Sequence, residues 1–284
     1  MQEDFLVKIR GTYNQFTKAE KKVADFITEN PEKVLFMSIS ELAEACRVGD
    51  TSVFRFCKTM KCKGYQEFKM CLSLSLTPGK TGLGQMEGNV RRVDSFSQTA
   101  DKVLRANIKA LEETRSLLRE DVFQRVIEIF HEAPRICFFG VGTSMSTAMK
   151  AAEKFLKIEP KVYAVEDSHV QAMMASTMKE GEAAVIFSYS GATKDTIHAA
   201  RLAKDAGAVI ICVTRFVKSP LTAYADLVLL CGANESPLQA GSSSAEISQL
   251  FLIDLLYTEY YRRYYETCSV NNEKTSASVM EKLC

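Results

Sequence analysis

The chain has 284 residues, room for two domains of ordinary size, and 46% of them are hydrophobic, enough for a sizeable core. A formal net charge of +1 excludes a global pull toward nucleic acid or anionic membrane, so any basic surface must be local. No apolar run is long enough to suggest a membrane span, and the acidic start Met1-Gln2-Glu3-Asp4 lacks the apolar stretch of a signal peptide.

Nine cysteines, an odd number, sit within apolar patterns, as at Cys57, Cys71, Cys137 and Cys212, and read as reduced core thiols of a cytoplasmic protein. Cys57 and Cys62 have no partners at a zinc spacing and the chain has only three histidines, so neither a structural metal nor a cofactor is expected.

In chain order, Phe5, Leu6 and Ile9 make a short apolar helix face. Thr17-Lys18-Ala19-Glu20 reads as a capping box ahead of Val23, Ala24, Phe26 and Ile27 at helical spacing, and Asn30-Pro31 separates that helix from another over Glu32 to Met37. A second capping box, Ser38-Ile39-Ser40-Glu41, opens a short helix with Ile39, Leu42, Ala43 and Cys46 on its apolar face. The connection Arg47-Val48-Gly49-Asp50, with Gly49 suited to the turn, leads into a helix from Thr51 to Met60 that directs Val53, Phe54, Cys57 and Met60 inward. Helix, tight turn and helix form a helix-turn-helix pattern, with Arg55, Lys58, Lys61 and Lys63 gathered on and after the second helix. A helical hairpin with a solvated charged face is the competing reading. A further helix runs from Gly64 to about Leu76.

Thr77 to Gly84 is rich in Pro and Gly and breaks any helix. Helical spacing returns from Ser97 to Ser116, with Val103, Leu104, Ile108 and Leu111 as its apolar face, and again at Val122, Val126, Ile127 and Phe130. Short apolar runs then alternate with helical ones. Strands are expected over Arg135–Phe139, Lys161–Val165, Ala183–Ser188, Val209–Val213 and Asp226–Leu230, with helices starting near Thr143, Ser168, Thr193, Pro220 and Ser244. Five strands joined by crossover helices imply a doubly wound, five-stranded parallel sheet. The last long helix repeats tyrosine at 257, 260, 261, 264 and 265, mostly for core packing with phenol tips in water and with a dimer contact as the other use. Past Thr267 the sequence turns polar and is expected to fray.

Two strand-to-helix loops carry the chemistry. Ser188-Tyr189-Ser190-Gly191-Ala192-Thr193 offers three hydroxyls and one glycine at a helix start, where unpaired N–H groups suit a phosphate. Gly140-Val141-Gly142-Thr143-Ser144 follows another strand. Each alone is also an ordinary β–α turn with a capped helix. Together, Ser-x-Ser-Gly-x-Thr and Gly-x-Gly-x-Ser resemble the sugar isomerase (SIS) domain, a phosphosugar-binding module, over roughly Asp121 to Tyr265. Ser-Ile-Ser-Glu-Leu-Ala, Thr-Ser-Val-Phe-Arg-Phe-Cys-Lys and Lys-Gly-Tyr-Gln-Glu-Phe-Lys resemble the N-terminal domain of the RpiR/MurR family of bacterial transcriptional regulators, which join a winged-helix-like domain to a SIS domain in this order.

The resemblance implies a helix-turn-helix domain over 1–77, a linker over 78–95, a SIS domain over 96–267 and a flexible tail over 268–284. It implies a regulator, not an enzyme, with an operator duplex, a sugar phosphate effector and a second copy of the chain as partners. Thr51, Ser52, Arg55, Lys58, Lys61 and Lys63 are expected to meet DNA, and Gly142, Thr143, Ser144, Ser188, Ser190, Gly191, Thr193 and Glu246 to meet the effector. Glu246 departs from the family pattern, which usually has arginine there. A phosphosugar isomerase is the enzyme alternative, with Glu235, Glu246, His169 or His198 as its base. A SIS module regulating a partner protein is the third reading.

Overall fold

The computed structural model describes residues 5–76, 90–233, 242–280 and 282. The chain forms two compact units; the main change from one to the other falls at Ala106–Asn107, and the later segment Lys218–Pro220 also belongs to the first.

The described part of the first unit before residue 90 is all helical: α1 (Phe5–Thr12), α2 (Lys18–Glu29), α3 (Pro31–Leu35), α4 (Ile39–Ala45), α5 (Asp50–Thr59) and α6 (Tyr65–Ser75). Both expected capping boxes form. Thr17 and Ser38 each accept from the backbone N–H three residues on, while Glu20 and Glu41 reach back to the capping N–H. Ile9, Val23, Ile27, Leu42, Val53, Phe56, Cys57 and Phe68 close the core at zero exposure. Phe54, expected inward, is instead 41% exposed, and Phe56 takes the buried place. The positions 53, 56, 57 and 60 keep the three- and four-residue spacing of one helix face, and 54 lies outside that stripe.

The turn between α4 and α5 also differs from expectation. Gly49 keeps an ordinary φ of −88°, and the left-handed residue is Arg47, at φ +53°. Arg47 N–H donates to Glu44 O and Val48 N–H to Ala43 O, the paired bonds of a Schellman ending. α5 ends the same way: Lys61 at φ +64° donates to Lys58 O, and Cys62 donates to Cys57 O.

The second unit holds a five-stranded, all-parallel sheet of β1 (Ile136–Phe139), β2 (Val162–Ala164), β3 (Ala183–Phe187), β4 (Val209–Thr214) and β5 (Leu227–Leu230), in the order β2-β1-β3-β4-β5. Side chains alternate between faces. Phe138, Val185, Phe187 and Val213 join one core, shared with α8 (Glu120–Glu132), α9 (Thr143–Leu156) and α12 (Ser243–Arg263). Cys137, Phe139, Ala184, Ile186 and Cys212 join the other, beneath α10 (Ser168–Ser176) and α11 (Lys194–Asp205). Burial on both faces is why these strands read as unbroken apolar runs.

Helix α7 (Phe96–Ser116) starts where the linker was expected to end, and most of that linker, 78–89, lies outside the described residues. Its expected apolar face is largely open: Leu104 is 58% exposed and Ile108 44%, while the small side of Ala110 and Thr114 is buried. The reason is Gly232, whose missing Cβ would lie 2.6 Å from Ala110 O. Only a small-residue face admits so close a backbone.

The expected flexible tail is corrected by α13 (Tyr265–Met280). Cys268 is buried, Asn271 Nδ2 donates to Ile158 O (2.9 Å), and Thr275 Oγ1 donates to Lys157 O (3.0 Å). These polar side chains satisfy carbonyls just past the end of α9.

In the helical unit Lys69 is 5% exposed, its Nζ donates to Met37 O and lies 5.1 Å from the Tyr65 ring centre, and Tyr65 Oη also donates to Met37 O. Burial pushes the Lys69 ammonium down to about 8 from the ordinary 10.5, against a smaller opposing pull from Glu41. The unfolded chain therefore holds this proton through a window, pH 8 to 10.5, in which the folded chain has released it. The group's contribution to stability rises with pH across that window and is lowest below pH 8. Lys69→Met keeps the stem and removes the titration. Its stability gain over the parent, measured by urea unfolding, is expected to be largest at pH 7 and to shrink by on the order of 3 kcal/mol toward pH 10.5.

Candidate functional site: two loops at the sheet edge and the helix-turn-helix face

Strand order reverses direction between β1 and β3, so the crossovers from these neighbours leave to opposite faces. The crevice they open, beyond the strands' carboxyl ends, is where ligands bind in such sheets. Both sequence-predicted loops border it.

The loop after β3 is pinned through its carbonyls. Ser188 O accepts from Gly191 N–H, Tyr189 O from Arg215 N–H and Thr214 Oγ1, and Gly191 O from Leu221 N–H. Gly191 has φ +59°, which glycine adopts without strain. Thr193 caps α11 by position but makes no side-chain capping bond, so its hydroxyl is not used as an ordinary cap. Ser190 Oγ accepts only a long bond, 3.3 Å, from Ala192 N–H. Ser188 is 2% exposed and its hydroxyl has no hydrogen-bond partner. A buried hydroxyl left unpaired costs about 1–3 kcal/mol.

The loop after β1 turns at Gly142, φ +61°, which precedes α9 with no side-chain cap. Thr143 is exposed and Ser144 half-buried. Gln171 on α10, which the sequence did not single out, holds this loop: its Oε1 accepts from Gly140 N–H at 3.2 Å and its Nε2 donates to Gly140 O at 2.9 Å. Nothing local in Ser168-His169-Val170-Gln171 announces that clamp. Among the described residues just one other buried side-chain polar atom lacks a partner, Thr147 Oγ1, one turn beyond Thr143 on α9.

Glu246 stands in the first turn of α12 and is half-buried. Helices α9 and α12 run parallel, as successive contacts show: Lys154 Nζ bonds Asp254 Oδ1 at 2.5 Å, and Tyr260 Oη donates to Glu159 Oε2 just past the end of α9. The first turn of α12 therefore lies at the same end of the sheet as the first turn of α9. Tyr189 also packs against the small cluster of Ala110, Ala233 and Ala245, so the loop after β3 and the first turn of α12 share one apolar patch. The other proton-transfer candidates are less enclosed. His169 is exposed beside Asp167, His198 is exposed on α11, and Glu235 lies outside the described residues.

In the helical unit, Thr51, Arg55 and Lys58 share the open face of α5, Ser52 is half-buried beside them, and Lys61 and Lys63 are exposed just beyond. The missed member is Phe54, on the same face, with Lys58 Nζ 5.2 Å from its ring centre. Among the described residues no helix is long and apolar enough to cross a membrane.

A helix-turn-helix unit followed by a doubly wound sheet with two hydroxyl- and glycine-bearing loops defines a two-domain transcriptional regulator. Residues 3–79 match the helix-turn-helix domain of the rpiR family and residues 129–259 match the SIS domain. An HTH-type transcriptional regulator of Haemophilus influenzae is 34% identical over 278 residues, 98% of this chain and 96% of that protein. The HTH-type transcriptional regulator HexR of Pseudomonas aeruginosa is 31% identical, covering 90% of this chain and 88% of its own. The NanR protein of Vibrio vulnificus, solved in complex with ManNAc-6P, superposes with a TM-score of 0.87 at 29% identity and covers 99% of each chain. The chain belongs to the RpiR/MurR family of transcriptional regulators.

Gly140 has no room for a side chain: a Cβ there would lie 2.6 Å from Ser144 O and 2.9 Å from Met145 N, both backbone. Gly140→Ala is expected to push the first turn of α9 off β1 at a cost of about 1–3 kcal/mol. Faster hydrogen exchange at Met145 together with a lower melting temperature checks it. Unchanged exchange there would mean that the loop absorbs the methyl.

Proposed function

We propose that the chain is a DNA-binding regulator whose SIS unit senses a sugar phosphate and alters operator binding, without turning the sugar over. The observation that carries the sensing half is the orphaned hydroxyl of Ser188, buried at the reversal point of the sheet beside Gly191. It supports a phosphate held by Ser188, Ser190 and Thr193 at the start of α11, with Gly142, Thr143 and Ser144 bordering the sugar. The sugar phosphate bound to NanR supports the same ligand class. The exposure of His169 and His198 favours sensing over isomerisation, and free, mostly buried thiols among the described cysteines suit a cytoplasmic regulator.

On the DNA side, helix-turn-helix proteins read base edges from the start of the second helix and hold phosphates from its flanks. Thr51, Ser52 and Arg55 are assigned to bases, with Phe54 against a thymine methyl, and Lys58, Lys61 and Lys63 to the backbone. Arg55→Ala is expected to weaken operator binding by roughly 1–3 kcal/mol and to relax sequence preference. Equal affinity and selectivity in a duplex titration would remove Arg55 from the reading face.

A two-fold operator requires two reading heads, so the chain is assigned as a homodimer joined through its SIS units. Sedimentation at micromolar concentration should give at least a dimer. A monomer with full operator affinity would contradict that assignment.

Ser190→Ala with Thr193→Ala removes two hydroxyls from a charged ligand, each worth about 1.5–3 kcal/mol. Effector affinity by calorimetry should fall more than about tenfold. Operator affinity without effector should hold, and the effector's influence on it should be lost. Undiminished effector affinity would place the phosphate elsewhere.

A further inference from the structure

Glu246 brings a carboxylate to the edge of a site whose other end suits a phosphate. It is half-buried in the first turn of α12, where the helix dipole favours an acidic residue. That alone is an ordinary reason for a glutamate. Its surroundings add a second one. Among the described residues Glu246 forms no ion pair and no side-chain hydrogen bond. Arg215, the cation at the end of β4, is turned to the Ala233 carbonyl (Nε–O 3.0 Å) and not to Glu246. Ala245, next in sequence to Glu246, belongs with Ala110 and Ala233 to the small cluster against which Tyr189 packs, and the neighbours of Tyr189, Ser188 and Ser190, are two of the assigned phosphate hydroxyls. The site therefore presents one face of uncommitted hydroxyl donors and, at the same end of the sheet, one carboxylate with no protein partner among the described residues.

A dianionic phosphate attached to a neutral sugar is repelled by that carboxylate, because partial burial weakens screening between like charges. A ligand with its own positive charge reverses the sign of the interaction, and an ammonium is a donor-only group that matches an acceptor-only carboxylate. We infer that the effector is zwitterionic, a phosphorylated amino sugar with a free ammonium, and that Glu246 pairs with that ammonium while the Ser188–Thr193 loop holds the phosphate. This rests on the phosphate-sensing reading and adds the charge at the other end of the molecule. Glu246 is then a specificity residue: it contributes little to phosphate capture and decides which phosphosugar stays.

The test is calorimetry on the full chain with matched probes: glucosamine, mannosamine and galactosamine 6-phosphates, their N-acetyl forms, and the hexose 6-phosphates with hydroxyl in place of nitrogen. One free-amine member should bind at least tenfold tighter than its hydroxyl and N-acetyl counterparts. In Glu246→Gln, which keeps shape and removes charge, that ratio should fall toward one, with the hydroxyl counterpart bound as well as before or better. Glu246→Arg should turn the preference toward a sugar bisphosphate. Melting temperatures near the parent's confirm that both variants are folded. Sugar phosphates bound without regard to the nitrogen's charge, or a ratio unmoved by Glu246→Gln, would overturn the inference and leave the sensing reading intact. Absence of heat with every sugar phosphate would overturn both.

Discussion

A right-handed crossover between parallel strands is the constraint on which the sensing half depends. With the order β2-β1-β3-β4-β5, the chain leaves β1 for the face that α9 covers and leaves β3 for the face that α11 covers. The two departures carry the loops apart at the carboxyl ends of the strands, the place where such sheets form their binding crevice. Gly142 and Gly191, both at positive φ, let the backbone turn out of the strands at these points. The local cost is visible at Ser188, whose hydroxyl is held from water and given no partner. Such an unpaired hydroxyl is rare in a folded core, and here it falls at the reversal point of the sheet.

The helix-turn-helix unit shows a parallel trade. Both α4 and α5 end in the left-handed residue that a Schellman ending requires, and in both places that residue is a cation, Arg47 or Lys61, where glycine would be least strained. A left-handed non-glycine residue costs on the order of 1 kcal/mol. In exchange an exposed basic side chain stands just past the end of each helix. The charge that makes this unit fit for DNA is thus set in backbone positions as well as in composition.

Much of this was legible in the sequence, for identifiable reasons. The central strands β1, β3 and β4 are buried on both faces, so their apolar runs survive as continuous words, and Thr17 and Ser38 announce their helices through reciprocal bonds three residues apart. The two loops were found because their hydroxyl and glycine spacing is local. What escaped was decided by neighbours distant in the chain. Asn271 and Thr275 read as a fraying tail until the carbonyls of Ile158 and Lys157 are seen beside them. The apolar side of α7 looked like the packed one, yet Gly232 selects the Ala110 side because only small residues admit it. Phe54 and Phe56 are two apolar residues within one turn, and spacing alone does not rank them until Phe16 and Phe68 are found packed on Phe56. Gln171 carries no local mark at all, because its role lies in Gly140, thirty-one residues away.

The loop that holds Ser188 is not isolated from the rest of its unit. Tyr189 Oη donates to Ala233 O at 2.9 Å, and Ala233 sits at φ +82°, a conformation an alanine keeps only under external restraint. Gly232 N–H donates to Thr114 Oγ1 and Ala233 N–H to Glu113 Oε2, both on α7, with the backbone so close that a Cβ on Gly232 would lie 2.6 Å from Ala110 O. α7 then runs back without a break to Phe96. Three hydrogen bonds thus join the loop after β3, the residues after β5 and the C-terminal half of α7, so the loop's position is fixed by residues far from it in the chain.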